Sequence, residues 1–145
     1  MCGVVGYVGQ QKCVPIIFES LKRLEYRGYD SAGIAVLNQD NVSLVKTKGK
    51  LAELKKKLDK LPQAASIGIG HTRWATHGAP NAINSHPHST GDFAIVHNGI
   101  IENYAELKEQ LIKDGIEFVS ETDTEVAMHV PVSYTHLTLP TILLV

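Results

Sequence analysis

The sequence has few cysteines and no excess of charge, and these shortages narrow the classes of protein to which it can belong. Its only cysteines are Cys2 and Cys13, and no charged segment followed by an apolar run opens the chain. A disulfide framework and a secretory signal are therefore not indicated, and we expect a reduced, cytoplasmic protein. A net charge of −1 gives no electrostatic reason to expect nucleic acid or an anionic membrane as a partner.

Charged residues also disappear near the end of the chain. No Asp, Glu, Lys or Arg follows Glu125, and the closing apolar run is too short for a membrane span, which needs about 20 apolar residues. We interpret residues 131–145 as a non-native tail, such as a translated adaptor joined to a truncated reading frame. A genuine divergent C-terminus is the alternative. The functional predictions therefore concern residues 1–130.

The spacing of apolar residues predicts a mixed α/β domain. Strands are predicted at residues 2–9, 32–37, 42–46, 67–70, 93–96 and 118–119. Helices are predicted at residues 15–27, 51–61 and 103–114, and from Thr122 until Pro131 halts the last one. Asn103 with Glu106, and Thr122 with Glu125, have the spacing of capping boxes. A polar loop of about twenty residues follows the strand at 67–70, and a loop that long is usually functional or disordered.

Cys2 is the residue with the clearest chemical implication. Loss of Met1 would leave a cysteine that carries a free α-amine. The amine titrates near ~7.7–8.0 and the thiol near ~8.5, so one residue supplies both a nucleophile and a base. A Met-Cys start is weak evidence alone, and the other motifs must support it.

Five short motifs give that support. They are Met1-Cys2-Gly3, Arg27–Gly33, His71–Gly78, His97-Asn98-Gly99 and Glu121-Thr122-Asp123. In this order and at these intervals they closely resemble the N-terminal glutaminase domain of the glucosamine-6-phosphate synthase family. The members of this family are class II glutamine amidotransferases. The resemblance covers nearly all of residues 1–130.

The resemblance implies an α+β fold of the N-terminal-nucleophile type, a four-layer αββα sandwich of antiparallel sheets, of which only the N-terminal part is expected here. It also implies hydrolysis of glutamine to glutamate and ammonia through a cysteine thioester. In a full-length, homo-oligomeric enzyme the ammonia would convert fructose 6-phosphate to glucosamine 6-phosphate, on sugar-isomerase domains that this sequence lacks. No cofactor is implied. Whether the fragment is active by itself stays open.

The family roles suit the chemistry of the matching residues. Cys2 is the nucleophile, and the Asn98 side chain with the Gly99 backbone N–H forms the oxyanion hole. Arg73 suits the substrate carboxylate and Asp123 the substrate ammonium. The resemblance assigns the remaining roles: Thr76 and His77 to the substrate carboxylate, Trp74 to a gating loop, and Arg27 and Gly28 to the neighbourhood of the nucleophile.

Other interpretations compete with this one. One alternative is the glutaminase domain of another class II amidotransferase, of the purine-pathway or asparagine synthetase type. A second alternative is a non-catalytic module in which Met1 masks Cys2. His71, His77, His86 and His88 suggest a metal site, but no carboxylate or thiol has the spacing of a zinc ligand set. We therefore predict no metal. Cys13 is expected to pack as a small apolar residue.

Overall fold

A computed structural model describes residues 1–75, 78–134 and 141–144. The strands are β1 (Gly3–Val8), β2 (Ser31–Asn38), β3 (Asn41–Lys48), β4 (Ile67–Arg73), β5 (His88–Ser89), β6 (Phe93–Val96) and β7 (Thr141–Leu144). The α-helices are α1 (Cys13–Leu24), α2 (Leu51–Lys55), α3 (Tyr104–Lys113) and α4 (Asp123–Tyr134). Two short 3₁₀ turns follow α1 and α2, at Glu25–Arg27 and Leu58–Lys60.

The strands form two sheets. The first has the order β1-β4-β2-β3 with antiparallel pairing throughout. The second has the order β5-β6-β7, in which β5 and β6 are antiparallel and β6 and β7 are parallel. β2 and β3 form a hairpin, in which they pair from Ser31 opposite Lys48 to Asn38 opposite Asn41.

Alternation along the strands divides the core into layers, as expected for a period of two residues. Ile34 and Val36 of β2 pack against α1 and α2 in a cluster that includes Ile17 and Leu21. Ala35, between them, faces the other way and packs with Ala94 and Val96 of β6.

The second sheet repeats this arrangement. Phe93 and Ile95 of β6 pack with Met128 of α4, on the face opposite to the one that meets the first sheet. The order of layers is therefore helices, sheet, sheet, helix, which confirms the predicted αββα architecture. Cys13 is fully buried in the first core cluster, as predicted.

Several predicted boundaries were wrong. The helix expected at 15–27 begins at Cys13 and changes to a 3₁₀ turn at Glu25. The helix expected at 51–61 is α only to Lys55. The strand expected to end at residue 70 continues to Arg73, because β2 and β1 pair with it as far as Arg73 and Thr72.

The prediction for α4 was wrong at its end. Pro131 lies inside the helix, which continues to Tyr134. Proline lacks the N–H that would bond four residues back, so this helix loses a bond there but does not end. β7 then follows within the segment that we interpreted as a tail; the origin of that segment stays a prediction.

The predicted capping boxes also differ from the structure. The Asn103 side chain makes no capping hydrogen bond. Glu125 accepts hydrogen bonds from the backbone N–H groups of Val119 (2.8 Å) and Ser120 (2.6 Å), which holds residues 118–119 in a non-strand conformation. Burial raises the pKa of Glu125, but hydrogen bonds from His129, Ser120 and the backbone outweigh it and lower the pKa to about 2.

Among the described residues, no helix is long and apolar enough to cross a membrane.

Gly33 marks the closest approach of the first sheet to the segment before β5. A Cβ atom there would lie 2.1 Å from the His86 carbonyl oxygen. We expect Gly33→Ala to lower the free energy of unfolding by about 3 kcal/mol, at the upper end of overpacking costs. Urea denaturation is the measurement. Gly115→Ala is the control, since no atom lies within 4 Å of its Cβ position and only the positive φ is penalised, by about 1 kcal/mol. Equal stability of both variants would contradict the packing argument.

Candidate active site

The pairing of β4 with its two neighbours brings the first three sequence motifs together. Gly3 of β1 lies opposite Thr72, and Ser31 of β2 lies opposite Arg73. The residues just before β1 and just before β2 therefore meet the end of β4. This register places Cys2 and Gly28 beside the backbone of Arg73 and Trp74.

The sulfur of Cys2 contacts the backbone of Trp74 on both its polar groups. The Trp74 N–H donates to Sγ at 3.1 Å, and the thiol lies 3.5 Å from the Trp74 carbonyl oxygen. Gly28 packs beneath this segment, since a Cβ there would lie 2.8 Å from the Arg73 carbonyl carbon. The close approach explains why a residue without a side chain stands at position 28.

Asn98 follows β6 and reaches across to the nucleophile. Its Nδ2 donates to the Cys2 carbonyl oxygen at 3.0 Å. Its Oδ1 lies 3.0 Å from Nε2 of His71, and the same nitrogen lies 3.1 Å from the His97 carbonyl oxygen. Gly99 has φ of 153°, a conformation that favours glycine.

Buried histidines pack behind Asn98. The His71 and His86 rings stack with centroids 4.2 Å apart, and His88 meets His86 edge-on at 4.9 Å. Burial lowers the pKa of His71 to about 4 and that of His88 to about 3, and it also lowers the pKa of His86 well below its usual value. All three rings are therefore neutral at neutral pH. Within the described ranges, no group of three or more potential ligands could hold a metal ion.

Arg73 is a buried cation, only 3% exposed. Its guanidinium donates to the carbonyl oxygens of Gly78 (3.1 Å) and Ala79 (3.3 Å). Burial lowers its pKa, while Cys2, Asp30 and Asp123 act in the opposite direction. An arginine keeps its charge under these conditions, so the site has a fixed positive group.

Asp123 supplies the opposite charge at the start of α4. It is 4% exposed, and its Oδ2 accepts the backbone N–H of Ile101 at 2.8 Å. A carboxylate in the first turn of a helix is also stabilised by the helix dipole.

A reciprocal pair holds the loop after β4 against the start of α4. The Asn84 Nδ2 donates to Glu121 Oε2 at 2.8 Å, and the Glu121 N–H donates to Asn84 Oδ1 at 2.9 Å. Glu121 also accepts the Ala79 N–H at 3.3 Å. The loop that supplies the acceptors of Arg73 is thus fixed to the helix that begins with Asp123.

These groups line one pocket of about 520 Å³, a size typical of small-molecule sites. Its lining includes the following: Met1, Cys2, Arg27, Arg73, Trp74, Asn98, Gly99 and Asp123. The structure therefore brings together the predicted nucleophile, the predicted oxyanion residues and both predicted charged partners.

The rim of the pocket is aromatic and partly apolar. Trp74 is 45% exposed and meets Tyr29 edge-on, with ring centroids 5.7 Å apart. Arg27 donates from its guanidinium to the Met1 sulfur at 3.6 Å. Thr76 and His77, which the resemblance assigns to substrate binding, lie outside the described residues.

The residues that support the site were not predicted from the sequence. The sequence suggested His71, His86 and His88 only as a metal site, which was rejected, and nothing in it indicated a role for Asn84. The bonds from His71 to Asn98 and from Asn84 to Glu121 join positions 27 and 37 residues apart, and no local spacing signals such contacts. The signal available was the high density of histidine between positions 71 and 97.

Fold and site together define a glutamine amidotransferase domain of the N-terminal-nucleophile type. Residues 59–142 match the glutamine amidotransferase domain family, and the chain belongs to that family. Two solved structures have the same fold at 30% sequence identity, each covering 95% of this chain and 30% of the other. They are a glutamine phosphoribosylpyrophosphate amidotransferase from B. subtilis (TM-score 0.78) and an allosteric regulatory enzyme of purine biosynthesis (TM-score 0.80).

Curated relatives are more similar in sequence. The glutamine–fructose-6-phosphate aminotransferase (isomerizing) of Mesorhizobium japonicum is 55% identical over 129 residues, which cover 89% of this chain and 21% of the relative. That of Aquifex aeolicus is 58% identical over 131 residues, with 89% and 22% coverage. This chain thus spans about a fifth of the length of these relatives. The resemblance stated from the motifs is confirmed.

The buried histidines predict a loss of stability in mild acid. Each has a pKa near 6.5 in the unfolded chain and a lower one in the fold. Below pH 6.5 these histidines therefore bind protons in the unfolded chain but not in the folded chain. Stability is full above that pH and falls as the pH decreases towards 4, by up to about 1.4 kcal/mol per pH unit for each histidine.

Urea denaturation between pH 7 and pH 5 checks this, since that window lies above the usual range of carboxylates. The control is His71→Gln, which removes one of the titrating rings and should reduce the slope by about one proton. If the free energy of unfolding were independent of pH in this window, the folded and unfolded chains would bind equal numbers of protons. The rings would then become protonated in the fold as well.

Proposed function

We propose that this site hydrolyses the side-chain amide of glutamine. The supporting observation is that one pocket contains a thiol at Cys2, an amide donor at Asn98, a buried cation at Arg73 and a buried carboxylate at Asp123. Glutamine presents a carbonyl carbon, a carboxylate and an ammonium group. The pocket has a complementary group for each of them.

The reaction begins with the loss of Met1, which gives Cys2 a free α-amine. The amine accepts the thiol proton, and Sγ attacks the amide carbon of glutamine. The resulting tetrahedral intermediate collapses when its C–N bond breaks, and the α-amine returns the proton to the departing ammonia. Water then attacks the γ-glutamyl thioester, which releases glutamate and regenerates the thiol.

The tetrahedral intermediates carry an oxyanion, and Asn98 is the proposed side-chain donor. One N–H of its amide donates to the Cys2 carbonyl oxygen. A carboxamide has a second N–H, and this group lies on the amide that contacts the nucleophilic residue itself. The backbone N–H of Gly99 is the second proposed donor.

Specificity for glutamine comes from its α-carbon groups. Arg73 binds the carboxylate and Asp123 binds the ammonium group. Thr76 and His77 are proposed to add contacts to the carboxylate, Trp74 to close over the bound substrate, and Arg27 with Gly28 to hold the nucleophile. The two opposite charges, together with the side-chain amide held at Cys2 as a third fixed point, also select one enantiomer.

The longer protein is proposed to pass the ammonia to fructose 6-phosphate, as the names of the relatives suggest. In this proposal residues 1–130 are the front of the glutaminase domain, and the sugar-isomerase part lies beyond it. The proposed location is the reducing cytoplasm, where the thiol of Cys2 stays available as a nucleophile.

Covalent labelling tests the proposal directly. The chain, with Met1 removed as verified by intact mass, is treated with a glutamine-mimicking diazoketone and mapped by peptide mass. We expect an adduct on Cys2 and none on Cys13, which is fully buried. Excess L-glutamine should block the adduct, whereas D-glutamine should not. A folded chain, verified by circular dichroism, that acquires no Cys2 adduct would overturn the proposal.

Asp123→Asn tests the ammonium contact. The asparagine oxygen still accepts the Ile101 N–H, but the negative charge is lost. We expect KM for glutamine to rise about 10- to 100-fold while kcat changes little, since the contact is present in ground and transition states alike. The control is Glu102→Gln, which removes an equal charge from an exposed side chain outside the pocket lining, next to Ile101. Similar KM values for both variants would exclude the assigned contact.

A further inference from the structure

We infer that His71 is a positioning residue that fixes the direction of the Asn98 side-chain amide, so that its NH₂ group faces the reacting centre. The inference rests on the proposed glutaminase function. It assigns a role to a residue that does not line the pocket.

The hydrogen bonds of His71 define its protonation state. Its Nε2 lies 3.0 Å from Asn98 Oδ1 and 3.1 Å from the His97 carbonyl oxygen. The His97 carbonyl oxygen can only accept a hydrogen bond. Nε2 of His71 therefore carries the proton and donates it in a hydrogen bond to the His97 carbonyl oxygen. Nδ1 is buried without a hydrogen-bond partner in the described part of the chain, which fits an unprotonated nitrogen. The ring is thus a neutral donor.

The same contacts exclude the flipped orientation of the Asn98 amide. If the amide turned over, its NH₂ group would face the His71 N–H, and its oxygen would face the Cys2 carbonyl oxygen. Two donors would oppose each other on one side and two acceptors on the other. His71 and Cys2 therefore hold the amide from both ends, and only the observed orientation satisfies both.

The His71 ring itself has little freedom to turn. It is fully buried and stacks on His86 with an interplanar angle of 20°. The backbone N–H of His97 donates to His86 Nδ1 at 3.3 Å. The segment that carries Asn98 is thus tied to β4 through His71 and to the segment before β5 through His86. An oxyanion donor gains its effect from such preorganisation.

Two substitutions of His71 by side chains of similar length separate the effect of its hydrogen bond from the effect of its packing. Gln places its side-chain nitrogen near the position of histidine Nε2 and keeps a donor, whereas Met has a similar length and no donor. We expect His71→Met to lower kcat for glutamine hydrolysis about 10- to 100-fold with KM within about 3-fold of the parent chain. His71→Gln should retain kcat within about 5-fold of the parent chain, because the donor is restored.

Combination with Asn98→Ala gives the sharper test. That substitution alone should lower kcat about 10²- to 10³-fold, as for loss of an oxyanion donor. If His71 acts only through Asn98, adding His71→Met to this background should lower kcat by no more than about 3-fold. A ring that only stabilises the fold would lower kcat by the same factor in both backgrounds.

The outcomes distinguish this inference from the proposed function. If the parent chain is labelled at Cys2 and hydrolyses glutamine, equal kcat values for the Met and Gln variants, or effects that multiply with Asn98→Ala, overturn the role of His71 alone. If the folded parent chain neither acquires the adduct nor hydrolyses glutamine, both fail. Thermal unfolding midpoints of all variants, measured by circular dichroism, show that each comparison is made between folded proteins.

Discussion

Strand β4 is hydrogen-bonded along both edges, to β1 on one side and β2 on the other, and the site depends on this double pairing. The side chains of its last three residues have three different roles. His71 meets the segment after β6, Arg73 lies in the pocket as a buried cation, and Thr72 opposes Gly3 next to the nucleophile. A shift of the register by one residue would turn each side chain to the opposite face, and the cysteine would lose its position.

The electrostatics of the site follow from which groups are buried in charged form and which are not. The buried histidines beside Asn98 are neutral, because burial disfavours the protonated ring and, at His88, outweighs the opposing effect of the Glu125 carboxylate. Arg73 and Asp123 are opposite charges in the pocket. The guanidinium of the first donates to carbonyl oxygens, and the carboxylate of the second accepts a backbone N–H at the start of a helix. Both side chains are almost fully buried, so their interaction with a zwitterionic ligand is screened less than in water.

The sequence was sufficient for the parts of this protein that depend on local patterns. The spacing of apolar residues predicted most of the strands and helices. The order of the five motifs predicted the sandwich and the main site residues through a specific family resemblance. It was insufficient where contacts join distant segments. Glu125 has the spacing of a capping residue, yet it bonds Val119 and Ser120 because the chain before α4 folds back onto it. The predicted end of α4 was wrong for a different reason. A proline removes one hydrogen bond from a helix but does not always end it.

Trp74 combines a fixed main chain with an exposed ring. Its N–H is bound to the sulfur of Cys2, and its backbone rests on Gly28, whereas nearly half of its surface faces solvent and its ring contacts the exposed Tyr29. Rotation about the side-chain bonds therefore does not require the main chain to move. The mouth of the pocket and its floor are mechanically independent at this residue, so the opening can change its shape while the sulfur keeps its position.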